Sequence, residues 1–220
     1  MREPAEAVRI PVGHAVLEGD LGVAADARGV VLFAHGSGSS RHSRRNQYVA
    51  KRLQAAQFAT LLMDLLTREE EEVDERTREL RFDIPLLAER LTGAIDWLQR
   101  HRPTAELDIG CFGASTGGGA ALVAAAERPD AVAAVVSRGG RPDLAGDALM
   151  RVRAPTLLIV GGLDAQVIDL NRAALRRMSG EVRLEIVEGA THLFEEPGTL
   201  DMVTDLTSEW FTQHLGSRVR

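Results

Sequence analysis

Six short runs of apolar or alternating residues, separated by stretches of helical periodicity, leave this chain very few folds to choose from. Residues 29–34 form a continuous apolar run, and residues 58–63, 107–112, 131–136 and 156–160 are similar, mostly apolar runs. A strand reads this way when both of its faces are covered, as in a parallel sheet. The sixth run, Val182–Val187, alternates Val182, Leu184 and Ile186 with Arg183 and Glu185. That is the pattern of a half-exposed strand at a sheet edge. Between the runs, Ile84, Leu87, Ala88, Leu91, Ala94, Ile95 and Leu98 recur at helical spacing, and Pro103 follows. Val203, Leu206, Trp210 and His214 mark a last helix. Strands alternating with helices predict an α/β fold, an open and mostly parallel sheet with helices on both faces. A short N-terminal β-hairpin is expected over residues 8–26, with Gly19-Asp20 at its turn.

At 220 residues and 45% hydrophobic composition the chain is expected to form a single domain over residues 1–220 with a sizeable core. The net charge of −6 argues against a nucleic-acid partner. Residues 1–10 mix charges of both signs and lack the apolar centre of a signal peptide. No apolar run approaches the ~20 residues that span a bilayer. The reading is a cytoplasmic protein with no membrane partner. One cysteine, Cys111, permits no internal disulfide and no zinc cluster, and it sits inside a buried run. No metal site is expected. Phosphate-loop, dinucleotide and H-E-x-x-H patterns are absent as well.

In open α/β sheets, ligands bind beyond the C-terminal ends of the strands. The loop after residues 107–112 reads Gly113-Ala114-Ser115-Thr116-Gly117. This is the G-x-S-x-G pattern of a serine set on a sharp strand-to-helix turn, and a run of small residues follows it. Such a serine needs a base, and the base needs an orienting carboxylate. Asp164 follows residues 156–160, and His192 follows the last strand run. Both stand in the order Ser, Asp, His that this elbow requires. Asp143, Asp147 and Asp169 follow no strand run directly, and His214 lies within a helical pattern. The loop His35-Gly36-Ser37-Gly38 follows the first buried run. Its Ser37 N–H, with that of Thr116, is expected to form an oxyanion hole. His35 is expected to bond loop backbone, not to act as a base. Arg41, His42 and Arg138 approach the same sheet edge and are candidates for substrate binding; the other reading has the arginines bracing loops against Asp64 or Asp143. The acidic run 69–72 reads as a solvated helix start or loop.

Taken together, HGSGSSRHSRRN, GASTGGGAAL, VSRGGRPDL, GGLD and GATHLFEEPG resemble the small dienelactone-hydrolase-like α/β hydrolases. Relatives of this kind also occur fused to phosphoribosyltransferase domains. The resemblance covers nearly the whole chain and implies an α/β-hydrolase fold with a Ser-Asp-His triad and no cofactor. Two departures stand out. Dienelactone hydrolases proper use a cysteine where this chain has Ser115, and the family's loop usually carries a proline where this chain has Arg44. Only about twenty residues separate the run ending near Ser137 from Thr156, too few for a cap domain. Residues 66–82 are the nearest equivalent of a lid.

The expected chemistry is cleavage of a small carboxylic ester or related acyl substrate by Ser115, His192 and Asp164. Two alternatives stay open: acyl transfer on the same residues, and a binding protein on a hydrolase scaffold. The expected partner is a small acyl molecule, with a homodimer left open.

Overall fold

The computed structural model of the chain describes residues 5–24 and 26–216, so the first four residues of the N-terminal reading lie outside it. Among the described residues eight strands form one sheet: β1 (Glu6–Val12), β2 (Ala15–Gly22), β3 (Val30–Ala34), β4 (Ala59–Met63), β5 (Ile109–Ala114), β6 (Val132–Arg138), β7 (Thr156–Gly161) and β8 (Val182–Val187). Their order is β1-β2-β4-β3-β5-β6-β7-β8. β2 pairs antiparallel with β1 and β4, and all other neighbours are parallel. Each of the mostly apolar runs forms an interior strand, and the alternating one forms the edge strand β8.

Among the described residues there are six α-helices, five between strands and the last after β8: α1 (Arg44–Ala55), α2 (Arg68–Thr77), α3 (Ile84–Leu98), α4 (Thr116–Glu127), α5 (Ala165–Leu175) and α6 (Thr199–His214). Successive strand side chains point to opposite faces, so each interior strand feeds two cores. Leu32, Cys111 and Val135 lie in one core with Leu91 and Ile95 of α3 and Ala121 of α4. Phe33, Phe112 and Val136 lie in the other with Val49 and Leu53 of α1 and Val203 and Phe211 of α6. This is why the runs show no polar alternation. Burial also pushes the Cys111 thiol up to about 12, which leaves it an inert apolar filler.

The hairpin forms, but its turn is not at Gly19-Asp20. Val12 pairs with Ala15, which puts Gly13-His14 at the turn, and Gly13 has a φ of +56°. Gly19 instead lies within β2, where a Cβ would sit 3.0 Å from Leu61 and 3.2 Å from Ile10. It is a packing glycine between two large side chains and not a turn residue. Between β6 and β7 there is only a 3-10 segment, Pro142–Arg151, and no cap domain. Among the described residues no helix is long and apolar enough to cross a membrane.

The acidic run is the first turn of α2. Thr67 caps it, accepting from the Glu70 N–H while Glu70 accepts from the Thr67 N–H. Carboxylates in that turn also suit the positive end of the helix dipole. Asp74 on α2 is buried and holds the 3-10 turn Leu80–Phe82 by accepting from the Arg81 N–H at 3.0 Å and from its Nε at 2.5 Å. Burial acts to raise the Asp74 carboxyl, but the bonds and charge of Arg81 outweigh it and hold it below the usual carboxylate range.

A depressed carboxylate stabilises the fold fully above its unfolded pKa of ~3.9 and loses that contribution as pH falls through the folded value. Asp74→Asn is expected to lower unfolding stability by about 2 kcal/mol at neutral pH, the usual size of a charged hydrogen bond. The deficit should shrink on acidification below about pH 4. Urea unfolding of both proteins across that range checks it; a deficit that stays constant in acid would refute the linkage.

Candidate active site

Ser115 stands between β5 and α4 with φ 50° and ψ −121°. A side-chain-bearing residue held there carries strain of about 1–3 kcal/mol. The glycines around it explain how the turn closes. A Cβ on Gly117 would lie 2.4 Å from the Ala34 carbonyl and 2.5 Å from that of His35. One on Gly113 would lie 2.5 Å from Gly118 Cα. The start of α4 is thus pressed onto the end of β3 at backbone contact distance. The Ser115 N–H donates to the Arg138 carbonyl at 3.3 Å, and the Ser115 carbonyl accepts from Gly118 and Arg141. The serine backbone is therefore fixed to β6 as well.

Asp164 ends the turn after β7, and His192 lies in the loop after β8. Their side chains meet, with His192 Nδ1 and Asp164 Oδ2 2.6 Å apart. The carboxylate is mostly buried and the imidazole is 39% exposed, so the ring keeps one side open to the surface. The two loops are stapled together by the Leu163 N–H, which donates to the Ala190 carbonyl. Gly161 permits this, since a Cβ there would lie 2.5 Å from the same carbonyl. Thr191 anchors the far side by donating its hydroxyl and N–H to Glu196, whose carboxyl these bonds hold below its usual range.

The loop after β3 crosses the elbow. A Cβ on Gly36 would touch the Ser115 Cβ at 3.2 Å. His35 fastens this loop from below: its Nδ1 contacts the Gly36 carbonyl at 2.9 Å, and its Nε2 accepts from the Leu65 N–H at 3.1 Å. These bonds fit a neutral ring protonated on Nδ1, and burial lowers its pKa in the same sense. His35 is a loop brace, as expected. Ser37 lines two neighbouring cavities. One, of about 220 Å³, also has Ser115, His192, Arg138, Arg45 and Asn46 in its wall. The other, of about 170 Å³, lies under α2 and includes Thr116 and Arg81. Thr116 opens α4, where first-turn N–H groups have no intrahelical acceptor.

The three candidate substrate-binding residues separate. Arg41 does not reach the Ser115 cavity. Its guanidinium bonds Asp64, lies 2.7 Å from Glu18 and 3.6 Å from Asp20, and its N–H also donates to Asp64. Burial works against its charge, but these carboxylates more than offset that and favour protonation further. It braces the loop to the hairpin. His42 is exposed beside it and lines a groove with Glu69 and Arg90, again away from Ser115. Only Arg138 enters the cavity. It is the last residue of β6, two positions beyond the run visible in the sequence, because the strand continues through the polar Ser137. Arg45 and Asn46 are wall residues that sequence reasoning does not single out. A signal for them exists: Ser43 is a helix-capping residue, so the next positions sit at a helix start.

The fold is that of an α/β hydrolase. The dienelactone hydrolase family model matches residues 17–209, and the chain belongs to that family. A crystal structure of dienelactone hydrolase from Anabaena variabilis ATCC 29413 superposes with a TM-score of 0.96 at 61% identity, covering 98% of this chain and 100% of that one. A Mycobacterium tuberculosis (strain ATCC 25618 / H37Rv) protein carrying a phosphoribosyl transferase name is 58% identical over 210 residues. These are 96% of this chain but 46% of that protein, so the chain spans about half the length of such relatives. Est1E from Butyrivibrio proteoclasticus shares the fold at 16% identity, with a TM-score of 0.78 over 94% of this chain and 98% of its own.

The elbow geometry predicts that Gly117→Ala forces the Ala34 and His35 carbonyls aside and costs about 1–3 kcal/mol of stability, the usual range for overpacking. Denaturant unfolding measures this. A stability equal to that of the parent would show that the contact at Gly117 is not the constraint on the turn.

Proposed function

We propose that this protein is a serine hydrolase that cleaves a small carboxylic ester through an acyl-enzyme on Ser115, His192 and Asp164. The observation that carries the reading is the 2.6 Å contact of Asp164 with His192 Nδ1, beside a cavity that Ser115 and His192 share. In this reading Asp164 accepts from Nδ1–H, which leaves Nε2 with a lone pair for the serine proton. Ser115 Oγ attacks the ester carbonyl and its proton passes to His192. The N–H groups of Ser37 and Thr116 receive the developing oxyanion, a kind of contact worth about 3 kcal/mol per donor in the transition state. His192 returns the proton to the leaving alcohol. A water, deprotonated by the same imidazole, then cleaves the acyl-serine and releases the acid. No step calls for a cofactor.

Ester turnover and covalent labelling by a fluorophosphonate probe test the proposal. Ser115→Ala is expected to abolish labelling and reduce turnover by roughly 10⁴-fold or more. Asp164→Asn should leave a folded protein whose kcat falls by about 10⁴-fold, through loss of control over the imidazole tautomer. Undiminished turnover by folded Ser115→Ala protein would sink the assignment. A large loss in Asp143→Asn or Asp169→Asn with none in Asp164→Asn would mean that a different carboxylate serves.

A further inference from the structure

A cavity of about 170 Å³ lies under α2 and adjoins the Ser115 cavity at Ser37, which lines both. His192 lines the Ser115 cavity and not this one. In the proposed reaction His192 returns the proton to the leaving alcohol, so the alcohol lies on the His192 side. The cavity that adjoins it at Ser37 is left for the acyl group. Its size suits a small one, since about 150 Å³ holds a benzene-sized molecule. Leu65, Leu66 and Leu87 give it an apolar wall.

The rest of that wall is acidic. Asp64, Glu71, Asp74 and Glu75 line it, against one guanidinium, that of Arg81. Two of these acids are already neutralised, Asp64 by Arg41 and Asp74 by Arg81. Glu71 and Glu75 are not. They are exposed and stand four positions apart on α2, where like charges weaken a helix. The other glutamates of that helix have partners within the protein: Glu70 bonds Arg90, Glu72 lies 3.9 Å from Arg68, and Glu69 bonds Thr67. Among the described residues no cation pairs with Glu71 or Glu75. His35 shares the wall and feels the charge of Glu71, but burial outweighs it, so the ring stays neutral and offers no countercharge. A second group in the wall also lacks a partner. Thr116 is 3% exposed, and among the described residues its buried hydroxyl has no hydrogen-bond partner. A hydroxyl can accept a hydrogen bond from an N–H. A cleft lined by one sign of charge concentrates ligands of the other.

We infer that this cavity is the acyl subsite and that it selects esters whose acyl group carries an ammonium group. The leucines take the hydrocarbon, Glu71 and Glu75 hold the charge, and the Thr116 hydroxyl gives the ammonium a further acceptor. Assigning the cavity to the acyl side rests on the serine-hydrolase reading, whereas its affinity for an ammonium group does not.

The test compares 4-nitrophenyl esters in two pairs of equal chain length, 3-aminopropanoate with butyrate and 6-aminohexanoate with heptanoate. The quantity read is the ratio of kcat/KM for the ammonium ester to that for its neutral match. In the parent protein the ratio is expected to favour the ammonium ester in at least one pair. It should fall about 10-fold in the double variant Glu71→Gln/Glu75→Gln, each exposed carboxylate contributing about 2- to 5-fold. Thr116→Val, which keeps the side-chain shape and the N–H, should lower it about 5-fold. Both glutamates are exposed, so the double variant is expected to fold as the parent does. A parallel arm measures the thermal stabilisation of Ser115→Ala protein by hexylamine and by hexan-1-ol. The amine should stabilise more, and adding Glu71→Gln/Glu75→Gln should remove the difference. Where esters are turned over, a parent with no preference for either ammonium ester, or a preference that the double variant keeps, overturns the subsite. Where no ester is turned over, the hydrolase reading fails and the binding arm decides. Stabilisation by the amine that disappears with Glu71 and Glu75 leaves the ammonium site standing, and no such stabilisation overturns it.

Discussion

The contact between the start of α4 and the ends of β3 and β5 is the constraint on which the site depends. Gly117 lies against the carbonyls of Ala34 and His35 at the end of β3, and Gly113 against Gly118, and no side chain fits at either place. This closeness forces the chain to reverse within one residue, and that residue is Ser115 at φ 50°. The strain of about 1–3 kcal/mol is local. It is offset by two interior cores that tie the same strands to α1 and α6 on one face and to α3 and α4 on the other. The turn also leaves the first N–H groups of α4 without helical acceptors, next to the loop that carries Ser37. One backbone geometry therefore sets Ser115 and the start of α4 beside the loop that follows β3.

The other half of the site is built from loops, and the loops are joined by backbone. Leu163 donates to Ala190, Gly161 allows the approach, and Asp164 then meets His192 across the join. Gly139, at φ +52°, brings the end of β6 to the same place, since a Cβ there would lie 3.2 Å from the His192 carbonyl. β5, β6, β7 and β8 are consecutive in the sheet, so the residues that follow β5, β7 and β8 converge without any long insertion. This is why a chain with only a 3-10 segment between β6 and β7 still assembles a cavity.

Much of this is legible in the amino-acid sequence. Buried strands announce themselves as mostly apolar runs, and the loops that follow them locate Ser115, Asp164, His192 and Ser37. Two things are not legible. Local pattern puts the hairpin turn at Gly19-Asp20, because glycine beside aspartate signals a turn equally well whether the glycine is needed for φ or for space. At Gly19 the need is space, set by Leu61 on a strand 42 positions further along the chain, and no local pattern encodes that. The second is the far end of β6. Ser137 and Arg138 are polar, so periodicity ends the strand at Val136, but hydrogen bonding in a parallel sheet ignores side-chain polarity. The strand continues to the site edge, and its last two side chains are buried with it.

That extension separates two arginines which the sequence treats alike. Arg41 lies in a loop beside an antiparallel hairpin rich in acids, and Asp64, Glu18 and Asp20 enclose it. The surrounding carboxylates stabilise its charge, so it has nothing left to offer a ligand. Arg138 sits on an interior parallel strand, where its neighbours on β5 and β7 are apolar or glycine and none carries an acid. The sheet that lines the Ser115 cavity therefore also denies this side chain a carboxylate on the neighbouring strands. Proximity to a sheet edge does not decide whether an arginine finds an acid to pair with. The presence or absence of a carboxylate within reach does, and that depends on which strands the topology makes adjacent.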